Sequence, residues 1–159
     1  MGIMKNVRIS WAKVLGAPRP KYNPRDGNEW SVDLIFTKDQ LKQLVKEGFT
    51  VGAFLKKAKD GSYEYIRYTR DSEDKDGKPK SPIKVVGPDG KTPWPQDQLL
   101  GNDTIVDIKY KLTDPYKVKG ETRVKLVVME MMVREHKSYE GGGEEFEPAS
   151  PAKGVDEDW

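Results

Sequence analysis

Apolar and polar residues alternate at period two through much of this chain. Val7, Ile9 and Trp11 alternate with Arg8, Ser10 and Ala12, and Trp30, Val32, Leu34 and Phe36 with Ser31, Asp33 and Ile35. Each set predicts a half-buried strand, with both tryptophans in phase with the core side. After Phe36 the rhythm changes. Thr37 followed by Gln40 is a capping-box pair, Leu41, Leu44 and Val45 form a short stripe and Gly48 is a stop, so residues 38–47 read as a helix. A strand is expected within residues 54–70, and a short one over Ile83 to Val86. Two longer strands cover residues 104–112 and 122–134, with a turn at Lys117 to Glu121. The apolar triplets Val127–Met129 and Met131–Val133 place the last of these centrally in a sheet.

Proline and glycine punctuate the rest. Residues 16–27 form a proline-broken basic loop, residues 71–82 a charged stretch expected to be a mobile loop, and Trp94 stands between Pro93 and Pro95, where a core strand cannot hold it. Five or more strands, one short helix and no βαβ rhythm predict a mostly β fold. The expected form is an OB-fold-like, five-stranded, partly open barrel, with a β-sandwich as the alternative. The domain is expected to span residues 1–139, followed by a disordered acidic tail over 140–159.

Charge sharpens that division. From Glu140 onward there are seven acids against one base, and before it 27 bases against 19 acids, so a near-neutral total conceals a basic body and an anionic end closed by Asp156, Glu157, Asp158 and Trp159. Cysteine is absent, which excludes disulfides and thiolate chemistry. No apolar run approaches a membrane span and no signal-peptide core is present, so a soluble, intracellular protein with no membrane partner is expected.

Catalytic chemistry has little support. His136 is the single histidine and reads as a surface residue, and the loop acids Asp71, Glu73, Asp74 and Asp76 lack the closing glutamate of a calcium loop. Neither a nucleotide-binding fingerprint nor a nucleophile elbow occurs. No catalytic residue, metal or cofactor is assigned. Single-strand binding has more, because it needs cations for phosphates and aromatic faces on which bases stack. Tyr63, Tyr65 and Arg67 fall on one strand face, and Trp94 offers a loop aromatic. Lys56, Lys57, Arg70, Lys109, Lys111, Arg123 and Lys125 are candidates to follow the backbone.

In that light the chain resembles the single-stranded DNA-binding proteins of bacteriophage replication. The resemblance rests on the strand with Trp11, the passage Glu29 to Lys38, the Gly101-Asn102-Asp103-Thr104 run after the Pro-Trp-Pro loop, and the acidic terminus ending in an aromatic. It implies an OB-fold with an appended helix, binding of single-stranded DNA in phage replication or recombination, and a location in the cytoplasm of the infected host. It also implies a tail that engages replication proteins such as the polymerase and competes with DNA for the groove. A homodimer is left open. The competing readings are a phage assembly protein making protein contacts only and a metal-dependent nuclease using the loop acids.

Overall fold

A computed structural model describes residues 2–138. The expected tail residues, including Asp156, Glu157, Asp158 and Trp159, lie outside the described residues.

Five long strands carry the fold: β1 (Gly2–Lys13), β3 (Asn28–Ile35), β5 (Glu64–Asp71), β7 (Ile105–Leu112) and β10 (Leu126–Glu135). Shorter strands are β2 (Arg19–Pro20), β4 (Leu55–Lys57), β6 (Lys84–Val86), and the pair β8 (Tyr116–Val118) and β9 (Glu121–Arg123). The main sheet runs β4-β5-β3-β1-β7-β10-β6, so the five long strands lie in the order third, second, first, fourth, fifth. A sheet in that order curls until its third and fifth long strands approach. This is the OB-like barrel, and it stays open here: β5 and β10 meet without pairing, and Arg70 reaches across to the Val128 carbonyl at 3.5 Å.

Two irregularities let β1 serve both halves of the barrel. Its register against β7 shifts between Met4 and Val7, and its register against β3 between Ser10 and Lys13. Each shift is a bulge with a left-handed residue, Asn6 at φ 57° and Trp11 at φ 49°, and each bends the strand sharply. The second bulge overturns the expectation for Trp11. One extra residue reverses the alternation, so Trp11 turns outward and is 54% exposed, while Trp30 on β3 is buried as expected and donates its ring N–H to the Gly16 carbonyl.

Inside the barrel, register aligns apolar side chains across strands. Ile9 pairs with Leu34, Leu34 with Ile66 and Ile66 with Leu55, and Val7, Val106, Ile108, Val128 and Met131 complete a continuous core. β10 lies between β7 and β6, as its apolar triplets require. A bulge between Val128 and Glu130 explains them, because the core side moves from Val128 to Met131 and leaves Val127, Met129 and Met132 half-buried outside.

The helix predicted over 38–47 is α1 (Lys38–Lys46). Both halves of its capping box form: Thr37 Oγ1 accepts from the Gln40 amide and Gln40 Oε1 from the Thr37 amide. A second, four-residue helix, α2 (Val51–Phe54), follows, so the connection from β3 to β5 holds two helices rather than one. The expected turn at 117–121 is a two-residue hairpin joining β8 to β9, in which Lys119 (φ 51°) and Gly120 (φ 81°) are both left-handed. Residues 71–82 are no featureless loop: Asp74 accepts from the amides of Asp76 and Lys78, and Glu73 bridges to Pro79.

One buried carboxylate ties these parts together. Asp107 accepts the Asn6 amide at the first bulge and two hydrogen bonds from the Arg134 guanidinium. Arg134 holds its pKa below the ordinary 3.8, against the opposing effect of burial. A carboxyl depressed in the folded state stabilises above its unfolded pKa and loses that contribution as pH falls through its folded pKa. Asp107→Asn is therefore expected to lower the thermal midpoint at neutral pH, with the gap to the parent narrowing as the pH falls below 3.8. A gap constant from pH 7 to pH 2 would mean that the charge contributes nothing.

Candidate nucleic-acid interface

β3 and β5 are the second and third long strands, and their outer face is where an OB barrel takes oligonucleotides, flanked by the loops after the first and fourth strands. A cleft of about 650 Å³ lies there. Its floor is Ser31 and Asp33 on β3 with Tyr65 and Arg67 on β5, one wall is Trp11 and Lys13 at the bulge, and the loop between β1 and β3 adds Pro20 and Tyr22. Tyr63, Lys59 and Asp60 close the end near β4.

Local structure explains how each aromatic comes to face solvent. The Trp11 amide donates to Asn102 Oδ1 at 2.8 Å, and the neighbouring Asp103 amide to the Ile9 carbonyl, so the run 101–104 holds the bulge in place. Gly101 is buried where the Ser138 backbone packs on it, in space that a Cβ would occupy. Tyr22 is fully exposed on a loop that folds back through β2 onto β3. Tyr63 and Tyr65 stand 6.0 Å apart with rings tilted at 55°, Arg8 lies over Tyr63 and Arg67 over Tyr65.

Arg67 is locked. It donates to both carboxylate oxygens of Asp33, at 2.7 and 3.1 Å, and Asp33 is 2% exposed. That pairing raises the Arg67 pKa, chiefly through the hydrogen bond. A guanidinium fixed edge-on to a carboxylate keeps its flat faces available, one of them towards Tyr65.

The expected site residues separate into groups. Tyr63, Tyr65 and Arg67 share the cleft, whereas Lys56 and Lys57 on β4 pair with Tyr65 and Glu64 without lining it. Arg70, Lys111 and Lys125 are gathered in a second cleft, at the seam between β5 and β10. Lys109 pairs with Glu130 at 3.6 Å and Arg123 with Glu121 at 3.1 Å. Trp94 is not in either cleft: it is half-buried against the core, its ring N–H donates to the Gln98 carbonyl at 2.7 Å, and its ring meets His136 edge-on. The flanking prolines keep it out of a strand, yet the loop folds it back on the barrel. His136 is half-buried too, with Nε2 3.0 Å from the Leu99 carbonyl, rather than a free surface residue.

Trp11, Tyr22, Lys13 and Lys59 are cleft residues that the pattern reading missed. Tyr22 had a visible signal, an aromatic inside a proline-broken basic loop. For Trp11 the signal lay only in the bulge. Among the described residues no group of three acids or histidines is placed to hold a metal.

No protein-family model and no curated protein matches the chain. Solved structures do. The single-stranded DNA-binding protein from bacteriophage Enc34, C-terminally truncated, superposes with a TM-score of 0.57 at 14% identity over 86% of each chain. The single-stranded DNA-binding protein gp2.5 of bacteriophage T7 gives 0.55 at 18% identity, covering 91% of this chain and 97% of its own. The Enc34 protein in complex with single-stranded DNA gives 0.51 at 15% identity over 87% and 88%. The chain thus has the fold of phage single-stranded DNA-binding proteins, along nearly its whole described length.

Proposed function

We propose that this protein binds single-stranded DNA without sequence preference and without catalysing a reaction on it, in phage replication or recombination. The observation that carries the reading is the outer face of β3 and β5, where four aromatic side chains converge on one cleft of an OB-like barrel. Every base has a π face, so such a cleft accepts any sequence. The fold shared with phage single-stranded DNA-binding proteins supports it, one of them solved with its DNA.

We assign residues 140–159 to a tail that recruits replication proteins such as the polymerase through Asp156, Glu157, Asp158 and Trp159, and that competes with DNA for the basic surface. The support is its six net negative charges against a basic body and the Gly141-Gly142-Gly143 run that precedes most of them. The setting is the cytoplasm of an infected bacterium.

Titration of oligo-dT across a salt series, with the full chain and with a chain ending at residue 139, tests both parts. Four to six phosphate contacts imply a log-log slope of roughly −3 to −4, since each contributes about −0.7. The shortened chain is expected to bind more tightly at low salt, with the advantage fading as salt screens tail and phosphates alike. Absence of binding at moderate salt would favour a protein-contact role, and loss of the oligomer on adding magnesium a nuclease. Equal affinity of the two chains at low salt would remove the competition by the tail.

A further inference from the structure

The two clefts differ in kind. The first is lined by four aromatics and by three cations against three carboxylates, so it is rich in stacking faces and nearly neutral. The second, of about 360 Å³ at the open seam, has four cations, Arg70, Lys80, Lys111 and Lys125, against one carboxylate, and its single aromatic, Tyr68, is buried. That carboxylate, Asp71, is held by Lys21 at 2.9 Å. Among the described residues none of the four cations has a carboxylate within 4.0 Å. Among them only Arg70 has a buried polar atom without a partner, its Nε, and its one side-chain bond is the long contact to Val128.

The clefts also lie end to end. Thr69 lines the second and follows Arg67 of the first on the same face of β5, about 7 Å further along the strand.

We infer that the interface is divided by chemistry: the first cleft holds bases, and the second holds the phosphates of the adjoining stretch of the same strand. This rests on the single-strand reading above and goes beyond it, because it separates the seat of stacking from the seat of salt dependence. In the first cleft Asp33 cancels Arg67, and the bound part of the strand is gripped by its rings. In the second there is little to stack on, and the four unpaired cations release counterions from the polyanion.

The test compares the parent with Lys111→Gln/Lys125→Gln, and separately with Lys80→Gln, on oligo-dT of roughly 4 and roughly 16 nucleotides, the ends of the range one such barrel covers. The short oligomer, filling the aromatic cleft, is expected to bind with a shallow salt slope and equally to all three proteins. The long one is expected to bind parent with a steeper slope, which the double variant flattens by about 1.4 and Lys80→Gln by about 0.7. Equal weakening of both oligomers, or an unchanged slope on the long one, would overturn the division while leaving single-strand binding intact. A parent that binds neither oligomer would overturn the single-strand reading itself.

Discussion

Trp11→Ala is expected to weaken oligo-dT binding by about 1–3 kcal/mol, roughly 5- to 150-fold, with the salt slope almost unchanged. Trp11 is the largest exposed aromatic of the first cleft, and the bulge that turns it outward is fixed by Asn102, so the free protein already holds it in a defined place. A stacking face fixed before binding adds affinity because little freedom is lost when the base arrives. Tyr65→Ala should cost a similar amount, since it removes a ring and the surface on which Arg67 lies. Trp94→Ala is the control. It should lower stability and leave affinity near that of the parent, because Trp94 is engaged with Gln98 and His136 away from both clefts. If Trp94→Ala lost affinity at unchanged stability while Trp11→Ala did not, the assignment of the two tryptophans would be reversed.

Leu34→Ala is expected to destabilise the fold by about 2–5 kcal/mol, read as a lower urea midpoint with the denaturant slope preserved. Leu34 is fully buried at the centre of the row that runs from Ile9 across β3 to Ile66, so truncation opens a cavity among side chains held on both flanks by strand pairing. Total stabilities of domains this size are about 5–15 kcal/mol, so the loss should be plain at room temperature. A cost below about 1 kcal/mol would mean that the barrel collapses easily around the missing atoms, and that its core is less tightly locked than the pairing implies.

The element pattern was legible because it is local. Period-two alternation located the five long strands, and the capping box at Thr37 and Gln40 located α1, since both signals lie within a few consecutive residues. Their failures share a cause. Alternation assigns faces only while register holds, and β1 breaks register twice, so Trp11 was assigned to the core in a strand whose existence was correctly foreseen. The bulge depends on Asn102, 91 positions away, and no pattern near Trp11 could have announced it.

The site was legible in chemistry more than in place. Tyr63, Tyr65 and Arg67 were found together because one strand carries them at alternate positions. Arg70, expected with the cations rather than with the rings, is out of phase with Arg67 on β5 and lies at the seam beside Lys111 and Lys125. Lys109 reads as a free cation until strand pairing places Glu130 beside it, while Arg123 meets Glu121 at the alternate position of its own strand, β9. Trp94 was excluded from strands correctly, but exclusion from a strand is not exposure; its ring N–H found an acceptor four residues on.

The near-neutrality of the aromatic cleft bears on what this surface would turn away. A duplex presents charge on its outside and keeps its bases stacked on one another, so the cleft at β3 and β5 has few attractive contacts to make with it. With Asp33 already occupied by Arg67, Glu29 and Asp60 there face an intact double helix with carboxylates rather than rings it can use. Discrimination between paired and unpaired strands would then come from an attraction available only to a strand whose bases are already free, and the protein would mark the places where a duplex has opened without having to open it.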